Sequence, residues 1–274
     1  MYNLLVGLDG SRHSETALRQ TLALADGVGA RLHLLQAVEP IGPENMIDLT
    51  PRDDPLSILD RNDAMVAEQT DGVLPGDDDL GAAQRMCEDA GVPCRCQRQN
   101  GMASRVLLEQ SLAMDLLVLG RRGAVSKTLG GRTAASILRR PLVPTLLCQD
   151  DLVPWRQMLL VYEPTAAGGR ALRLAGGLAS ELNIGLDVLH AGPSRDQVRR
   201  GLQYAKNVLR AYHVDGEFLA ERGTSASALR GAALDLHSSV VIAPDHRCST
   251  WPWVRSETVR SAIDYPGAMA LVVP

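Results

Sequence analysis

Residues Asn3-Leu-Leu-Val-Gly-Leu-Asp9-Gly10-Ser11 combine a short apolar run with an abrupt polar turn. Such a run is typical of a strand that is buried on both faces, and Asp-Gly-Ser is typical of the turn that ends it. After the turn, Ala and Leu recur at helical spacing from position 17 to position 25. The stretch therefore predicts a buried strand, a turn and an amphipathic helix that stops at Gly27 or Gly29.

The same alternation continues along the chain. Further strands are predicted at residues 31–38, 93–99, 115–119 and 143–148. Helical patterns fill the intervals at about residues 59–91, with an interruption near Pro75-Gly76, and at residues 103–114 and 132–139. Because strands that alternate with helices form parallel sheets, the pattern predicts a parallel sheet with helices on both faces.

The second half of the chain repeats the first. The eight residues from Met158 to Thr165 match the eight from Leu4 to Ser11, and the later strands recur in the same order. Glu163 follows Asp9 by 154 positions, whereas the equivalent prolines late in each half are 125 positions apart, so the second copy lacks about 30 residues. A repeat of this length with two copies indicates duplicated domains.

We therefore predict two tandem domains, at residues 1–150 and 155–274. Each is expected to be a five-stranded, mostly parallel open sheet with helices on both faces. The last strands of the two copies, at residues 143–148 and 269–273, are expected to pair within one chain, so that neither sheet edge stays uncovered. The sequence leaves open whether the chain is a monomer or a homodimer.

The composition argues against a nucleic-acid-binding protein and against a membrane-spanning one. The net charge is −4 and aromatic residues make up 3% of the chain, so a broad nucleic-acid-binding surface is not expected. No stretch approaches the ~20 apolar residues of a membrane-spanning helix. Five cysteines without a framework spacing indicate reduced thiols and a cytoplasmic protein. Cys94 and Cys96 are interpreted as structural, because two thiols make a poor zinc site.

Ligands of open parallel sheets bind beyond the carboxyl ends of the strands. Asp9 follows the first strand, where its carboxylate can accept hydrogen bonds from a base or a ribose. An Asp at this point is also a common cap of a turn or helix, so the sequence leaves both roles open. The end of the second strand, Ala37-Val38, can present an unpaired backbone N–H and C=O to a purine.

A glycine-rich loop at residues 120–133 lies between the fourth strand and the next helix. Its glycines allow backbone amides to approach phosphate oxygens, and the helix N-terminus favours anions. The loop also carries cations and a hydroxyl, at Arg121, Arg122, Lys127, Arg132 and Thr133. It is not a Walker A loop, because a serine stands where that motif requires a glycine before the lysine. The alternative is a surface loop with scattered basic residues.

These features resemble the universal stress protein family, and each half of the chain resembles one family domain. The ATP-binding branch of that family carries an Asp after the first strand and a Gly-x-x-Gly-x9-Gly-Ser/Thr loop after the fourth. Asp9-Gly10-Ser11 and Gly120-Arg-Arg-Gly123 match these elements. The resemblance implies an adenine nucleotide alpha hydrolase-like, Rossmann-like fold. It also implies ATP, with or without Mg²⁺, held by Asp9, Val38, Gly120, Arg122, Gly123, Gly131, Arg132 and Thr133.

The chain departs from the family pattern in both halves. In the first, the loop is two residues shorter and Arg132 stands where Ser or Thr is expected. In the second, Glu163 replaces Asp9, and Ala243-Pro-Asp-His246 replaces the first glycines of the loop. The proline removes an amide donor and the aspartate repels phosphate. No nucleotide is expected in the second half, which is interpreted as structural.

Three functions remain open at this point. The leading hypothesis is a stress-response protein that binds ATP in its first domain without catalysis, since no convincing catalytic group or metal site is visible. The second is slow ATP hydrolysis, for which Asp9 is the one obvious carboxylate near the glycine-rich loop that could bind Mg²⁺. The third is a nucleotide-free adaptor that binds proteins through residues 41–90 or through Trp251-Pro-Trp253. His13 is interpreted as a surface residue.

Overall fold

Strands and helices alternate within each half of the described chain. The computed structural model describes residues 1–38, 79–121, 132–232, 236, 238–245 and 256–274. In the first half the elements are β1 (Asn3–Leu8), α1 (Arg12–Val28), β2 (Arg31–Val38), α2 (Asp79–Asp89), β3 (Cys94–Asn100), α3 (Ala103–Ser111), β4 (Leu116–Gly120), α4 (Arg132–Arg139) and β5 (Thr145–Cys148). In the second half they are β6 (Gln157–Val161), α5 (Ala166–Leu182), β7 (Gly185–Gly192), α6 (Arg195–Leu209), a short 3₁₀ helix (Arg210–Tyr212), β8 (Phe218–Arg222), α7 (Ser225–Ala232), β9 (Val240–Pro244), α8 (Glu257–Ile263) and β10 (Met269–Val273).

The ten strands form one continuous sheet in the order β3-β2-β1-β4-β5-β10-β9-β6-β7-β8. Every neighbouring pair is parallel except β5 and β10, which are antiparallel and meet with Leu271 opposite Leu146. Each set of five strands follows the same internal order about its own first strand. The predicted mostly parallel α/β fold is confirmed.

The predicted elements differ from the observed ones mainly at their ends. The fifth strand starts at Thr145, two residues later than predicted, because Pro144 has no N–H to donate to the sheet. The helix predicted to reach residue 114 ends at Ser111, whose carbonyl accepts from Met114 N at 2.9 Å and turns the chain into β4. Of the helix predicted at residues 59–91, only its last part, α2, lies within the described residues.

The first helices of the two halves begin and end in the same way. Ser11 caps α1 by accepting from Ser14 N, and Thr165, which lies 154 positions later, caps α5 by accepting from Gly168 N. Gly29 and Asn183, with the same offset, end the two helices in the left-handed conformation. The repetition that the sequence predicts is therefore visible in the local backbone.

The core consists of two apolar layers, one on each face of the sheet. Side chains alternate between the layers along each strand, so Leu4 and Val6 face one layer and Leu5 the other. Each layer contains residues from both halves, with Leu271 in the first layer and Ala270 in the second. In the described part of the chain, no helix is long and apolar enough to span a membrane.

Three thiols gather where α2 packs on the edge strand β3. Cys94 and Cys96 share a face of β3, and Cys87 joins them from α2. Burial, together with the thiols of Cys94 and Cys96, raises the pKa of Cys87 to about 12. Among the residues that the structure describes, no group of three or more His, Cys, Asp or Glu is arranged to hold a metal ion. Cys87 is therefore a protonated packing residue at neutral pH.

The raised pKa of Cys87 predicts a loss of stability in alkali. Between about pH 9 and pH 11 the unfolded chain releases this thiol proton, whereas the folded chain keeps it. The unfolded state then binds fewer protons, so the free energy of unfolding falls as pH rises, by up to ~1.4 kcal/mol per pH unit from this thiol. Urea denaturation of wild type and Cys87→Ala between pH 8 and pH 11 measures the difference in slope. Equal slopes in the two proteins would contradict the prediction.

Candidate functional site

The order of the strands creates a crevice in the first half. β1 has β2 on one side and β4 on the other, so the connections that leave β1 and β4 diverge to opposite faces of the sheet. Such a topological switch point is where open α/β sheets bind ligands, at the carboxyl ends of the strands. Asp9, Val38 and Gly120 end or follow these three strands. The structure thus brings three of the predicted site residues to one edge of the sheet.

Asp9 shapes the turn between β1 and α1. Its Oδ1 accepts hydrogen bonds from Ser11 N at 3.0 Å and from Ser11 Oγ at 2.5 Å. Ser11 in turn caps α1, since its Oγ accepts from Ser14 N at 3.1 Å. Ser14 Oγ lies 3.4 Å from Asp9 N and closes the turn from the other side. The side chain of Asp9 supports the cap through Ser11, and it stands half-buried at the mouth of the crevice.

Val38 ends β2 beside the crevice. The expectation of an unpaired carbonyl here is wrong, because Val38 O accepts from Gly101 N at 3.0 Å. Gly101 has a φ of +139°, a conformation that favours glycine, and this allows it to reach back to β2. A carbonyl has two lone pairs, so Val38 O keeps one acceptor position for a ligand.

Gly120 ends β4 against the first turn of α1. A Cβ at this position would lie 2.8 Å from the carbonyl oxygen of His13. The glycine is therefore required for the close approach of the strand to the helix, whether or not a ligand is bound. The side chain of His13 lies at the rim, where its Nδ1 is 3.1 Å from Asp150 Oδ1.

Arg121, the first residue after β4, points away from the crevice. Its Nη1 donates to Gln149 Oε1 at 2.8 Å, and its Nη2 lies 3.9 Å from Asp264 Oδ1 in the second half. Only 13% of its side chain is exposed. The sequence suggested that Arg121 supplies positive charge for a phosphate, and the structure corrects this, because the guanidinium is engaged elsewhere.

The remaining predicted site residues belong to the glycine-rich loop and to α4. Arg122, Gly123 and Gly131 lie outside the described residues. Arg132 begins α4, and Thr133 follows it as a half-buried residue of the first turn. The first amides of a helix have no acceptor within that helix, so the N-terminus of α4 favours a negative charge nearby.

The comparisons with known proteins identify the family of the chain. The model of the universal stress protein family matches residues 1–149, which is more than half of the chain. The chain belongs to the universal stress protein family. No protein of curated function matches its sequence.

Solved structures share the fold of this universal stress protein along its whole length. A universal stress protein from Archaeoglobus fulgidus is 18% identical, with a TM-score of 0.73 over 99% of this chain and 97% of that chain. A protein of unknown function from Pseudomonas aeruginosa is 15% identical, with a TM-score of 0.66 over 100% and 92%. The cytoplasmic domain of a prokaryotic cation chloride cotransporter is 13% identical, with a TM-score of 0.56 over 99% and 94%. At these identities the likeness concerns the fold alone.

In the second half of this universal stress protein, the equivalent crevice is bridged by its own side chains. Thr258 Oγ1 donates to Glu163 Oε1 at 3.0 Å. Glu163 stands at the position of Asp9, and Thr258, in the first turn of α8, stands at the position of Thr133. The longer carboxylate thus reaches the hydroxyl directly across the space between the two turns. Thr133 and Thr258 are 125 positions apart, as are the late prolines Pro141 and Pro266, so the sequence repeat makes the two threonines equivalent. The contact of Thr258 with Glu163 depends on the fold.

In the sequence, Ala243 of the second half aligns with Gly120 of the first, and the hydrogen bonds of the sheet shift this alignment by one residue. Asp245 N donates to Val273 O at 2.7 Å, as Arg121 N donates to Cys148 O at 3.0 Å. Pro244 is therefore the equivalent of Gly120, and Asp245 is the equivalent of Arg121. His246 and Trp251-Pro-Trp253 lie outside the described residues.

Two adjacent glycines of α5, Gly168 and Gly169, are predicted to respond to alanine substitution with opposite changes in stability. A Cβ on Gly168 would lie 1.8 Å from the carbonyl oxygen of Glu163, whereas the nearest atom to a Cβ on Gly169 is 3.8 Å away. We expect Gly168→Ala to lower the free energy of unfolding by ~2 kcal/mol or more. We expect Gly169→Ala to raise it by ~0.5–1 kcal/mol, because alanine favours the helix.

Thermal and urea denaturation of both variants measure these effects, and the neighbouring position serves as the control. Equal effects of the two substitutions would contradict the close approach of Gly168 to the carbonyl oxygen of Glu163.

Proposed function

We propose that this universal stress protein binds one adenine nucleotide, ATP foremost, in the crevice of its first half and performs no catalysis on it. The proposal is carried by the convergence of Asp9, Val38 and the N-terminus of α4 at the switch point of the first five strands. The family pattern of an Asp after the first strand and a glycine-rich loop after the fourth supports the same site.

The described residues fit the two ends of a nucleotide differently. The carboxylate of Asp9 and the second lone pair of the Val38 carbonyl suit the hydroxyl and amino donors of adenosine. The N-terminus of α4 and the hydroxyl of Thr133 suit phosphate oxygens. Residues Gly120, Arg122, Gly123, Gly131 and Arg132 complete the proposed set. A bound Mg²⁺ would neutralise phosphate charge, as Arg122 and Arg132 would.

A binding role suits the rim of the crevice better than hydrolysis does. Hydrolysis of ATP needs a group that orients or deprotonates water. The Nδ1 of His13 lies 3.1 Å from Asp150 Oδ1 but makes no hydrogen bond within the described residues, so no partner there orients the imidazole as a general base. We propose a reporter of adenylate levels, which ligand binding would also stabilise by mass action.

The second half is proposed to be a structural partner at residues 155–274 that joins the domain at residues 1–150 through β10 and β5. Its crevice is bridged by Glu163 and Thr258, and Pro244 offers no amide where Gly120 does. The free thiols of Cys87, Cys94, Cys96 and Cys148 support a reducing, cytoplasmic location.

Asp9→Asn tests the nucleotide site with an equivalent residue as its control. Asn keeps the size of the side chain but loses the charge, which weakens a charge-assisted hydrogen bond by ~1.5–3 kcal/mol, or about 10- to 100-fold in affinity. Glu163→Gln, at the same position of the second half, should leave the affinity unchanged.

Isothermal titration of ATP, with and without Mg²⁺, should give one site per chain. Acid extraction of the purified protein should release adenine nucleotide. Two sites per chain, or an effect of Glu163→Gln equal to that of Asp9→Asn, would contradict the assignment to the first half. No binding at all would contradict the proposal and favour the adaptor hypothesis.

The proposed union of the two halves is tested by Leu271→Ala in β10. Leu271 is 1% exposed and lies opposite Leu146 of the first half, so its truncation should cost about 2–5 kcal/mol. Because the layers are continuous, amide exchange should become faster in β4 and β5 as well as in β9 and β10.

Leu152→Ala is the control, since Leu152 is 59% exposed in the linker and its truncation should cost under ~0.5 kcal/mol. If Leu271→Ala loosened the second half alone, the two halves would be independent units.

A further inference from the structure

Arg121 connects the edge of the proposed nucleotide site to the second half of the chain. Its backbone is the continuation of β4, with Arg121 N donating to Cys148 O at 3.0 Å directly after Gly120. Its side chain extends in the opposite direction from the crevice, toward Gln149 and Asp264. One residue thus joins a strand end at the site to the C-terminal cap of α8.

The contacts continue from Gln149 into the second half. While Gln149 Oε1 accepts from Arg121 Nη1 at 2.8 Å, Gln149 Nε2 donates to the carbonyl of Ala268. Ala268 directly precedes β10, the strand that pairs with β5. The amide of Gln149 therefore links the guanidinium to the backbone of the other half through both of its polar atoms.

The position of this guanidinium is strongly determined. Its side chain is 13% exposed, and a largely buried charge is stable only where hydrogen bonds and opposite charge compensate for lost water. Gln149 and Asp264 supply that compensation. Within the described residues, Arg121 Nε is buried without an acceptor, so Gln149 and Asp264 are the polar partners that the structure gives this guanidinium.

The second half differs at the equivalent position. Asp245 stands where Arg121 stands in the first half, and its amide makes the same backbone bond, to Val273 O at 2.7 Å. An arginine that reaches across the centre of the sheet is therefore a feature of the first half, the half that carries the proposed site.

We propose that Arg121 is a positioning residue that couples nucleotide binding in the first half to the second half of the chain. The proposal rests on the proposed function. Gln149 and Asp264 hold Arg121, Arg121 fixes the end of β4 beside Gly120, and the second half thereby sets the geometry of the crevice. Because coupling between two sites is reciprocal, a bound nucleotide also stabilises the contacts of Arg121 with the second half.

Two variants and a matched control test this coupling by titration of ATP. Gln149→Ala removes the main acceptor of Arg121, and Asp264→Asn removes the charge of its second partner. Both should weaken ATP binding by about fivefold or more without changing the stoichiometry. Asp151→Asn is the control, because Asp151 also lies 3.9 Å from an arginine, Arg12, in a fully solvated pair at the linker. It should bind ATP as wild type does.

Hydrogen exchange distinguishes coupling from a purely structural role of Arg121, because only coupling makes ATP change amide exchange in the second half. In wild type, ATP should slow amide exchange at residues 264–270 of the second half, and Gln149→Ala should abolish this response while the first half still responds to ATP. Asp264 is half-exposed at a helix end, so Asp264→Asn preserves the test if Gln149→Ala does not fold.

The outcomes are distinct. If wild type binds ATP but both variants bind it equally well, and ATP leaves the exchange of residues 264–270 unchanged, the coupling is overturned and the proposed function stands. If Arg121→Met weakens binding while Gln149→Ala and Asp264→Asn do not, Arg121 contacts phosphate directly and the positioning role is overturned. If wild type does not bind ATP, the proposed function and the coupling both fail.

Discussion

Two short strands, β5 and β10, hold the two halves of the chain in one sheet. Each would otherwise be an exposed edge of a five-stranded parallel sheet, with unpaired N–H and C=O groups open to other chains. Their antiparallel pairing places Leu146 opposite Leu271, and the apolar layers then run without interruption across the centre. The pair stands at the centre of the order of strands, with β1 on one side of it and β6 on the other.

The duplicated units share a backbone plan but differ where function requires it. In the first half, Asp9 closes a tight turn through Ser11. In the second, the longer side chain of Glu163 reaches Thr258 Oγ1 at 3.0 Å. The position after the first strand therefore supports a local turn in one half and a contact between distant elements in the other.

The linker adds a second connection between the halves. The side-chain amide of Gln20 in α1 makes two hydrogen bonds with the backbone of Val153. Its Nε2 donates to Val153 O at 2.6 Å, and its Oε1 accepts from Val153 N at 2.9 Å. Together with the partners of Arg121, this contact fixes the path of the chain on leaving β5. Polar contacts therefore join the two halves in addition to the pairing of β5 with β10.

The order of elements, the duplication and the class of fold could be predicted from the sequence, because they follow from local hydrophobic periodicity and from turn residues that act over a few positions. The convergence of Asp9, Val38 and Gly120 also followed, since the carboxyl ends of parallel strands meet at one edge. The direction of Arg121 did not follow, because its partners Gln149 and Asp264 are distant in sequence and meet it only through the packing of β5, α8 and β10. The bridge from Glu163 to Thr258 and the one-residue shift at Pro244 likewise depended on strand register, which the folded sheet fixes by hydrogen bonds between segments far apart in the chain.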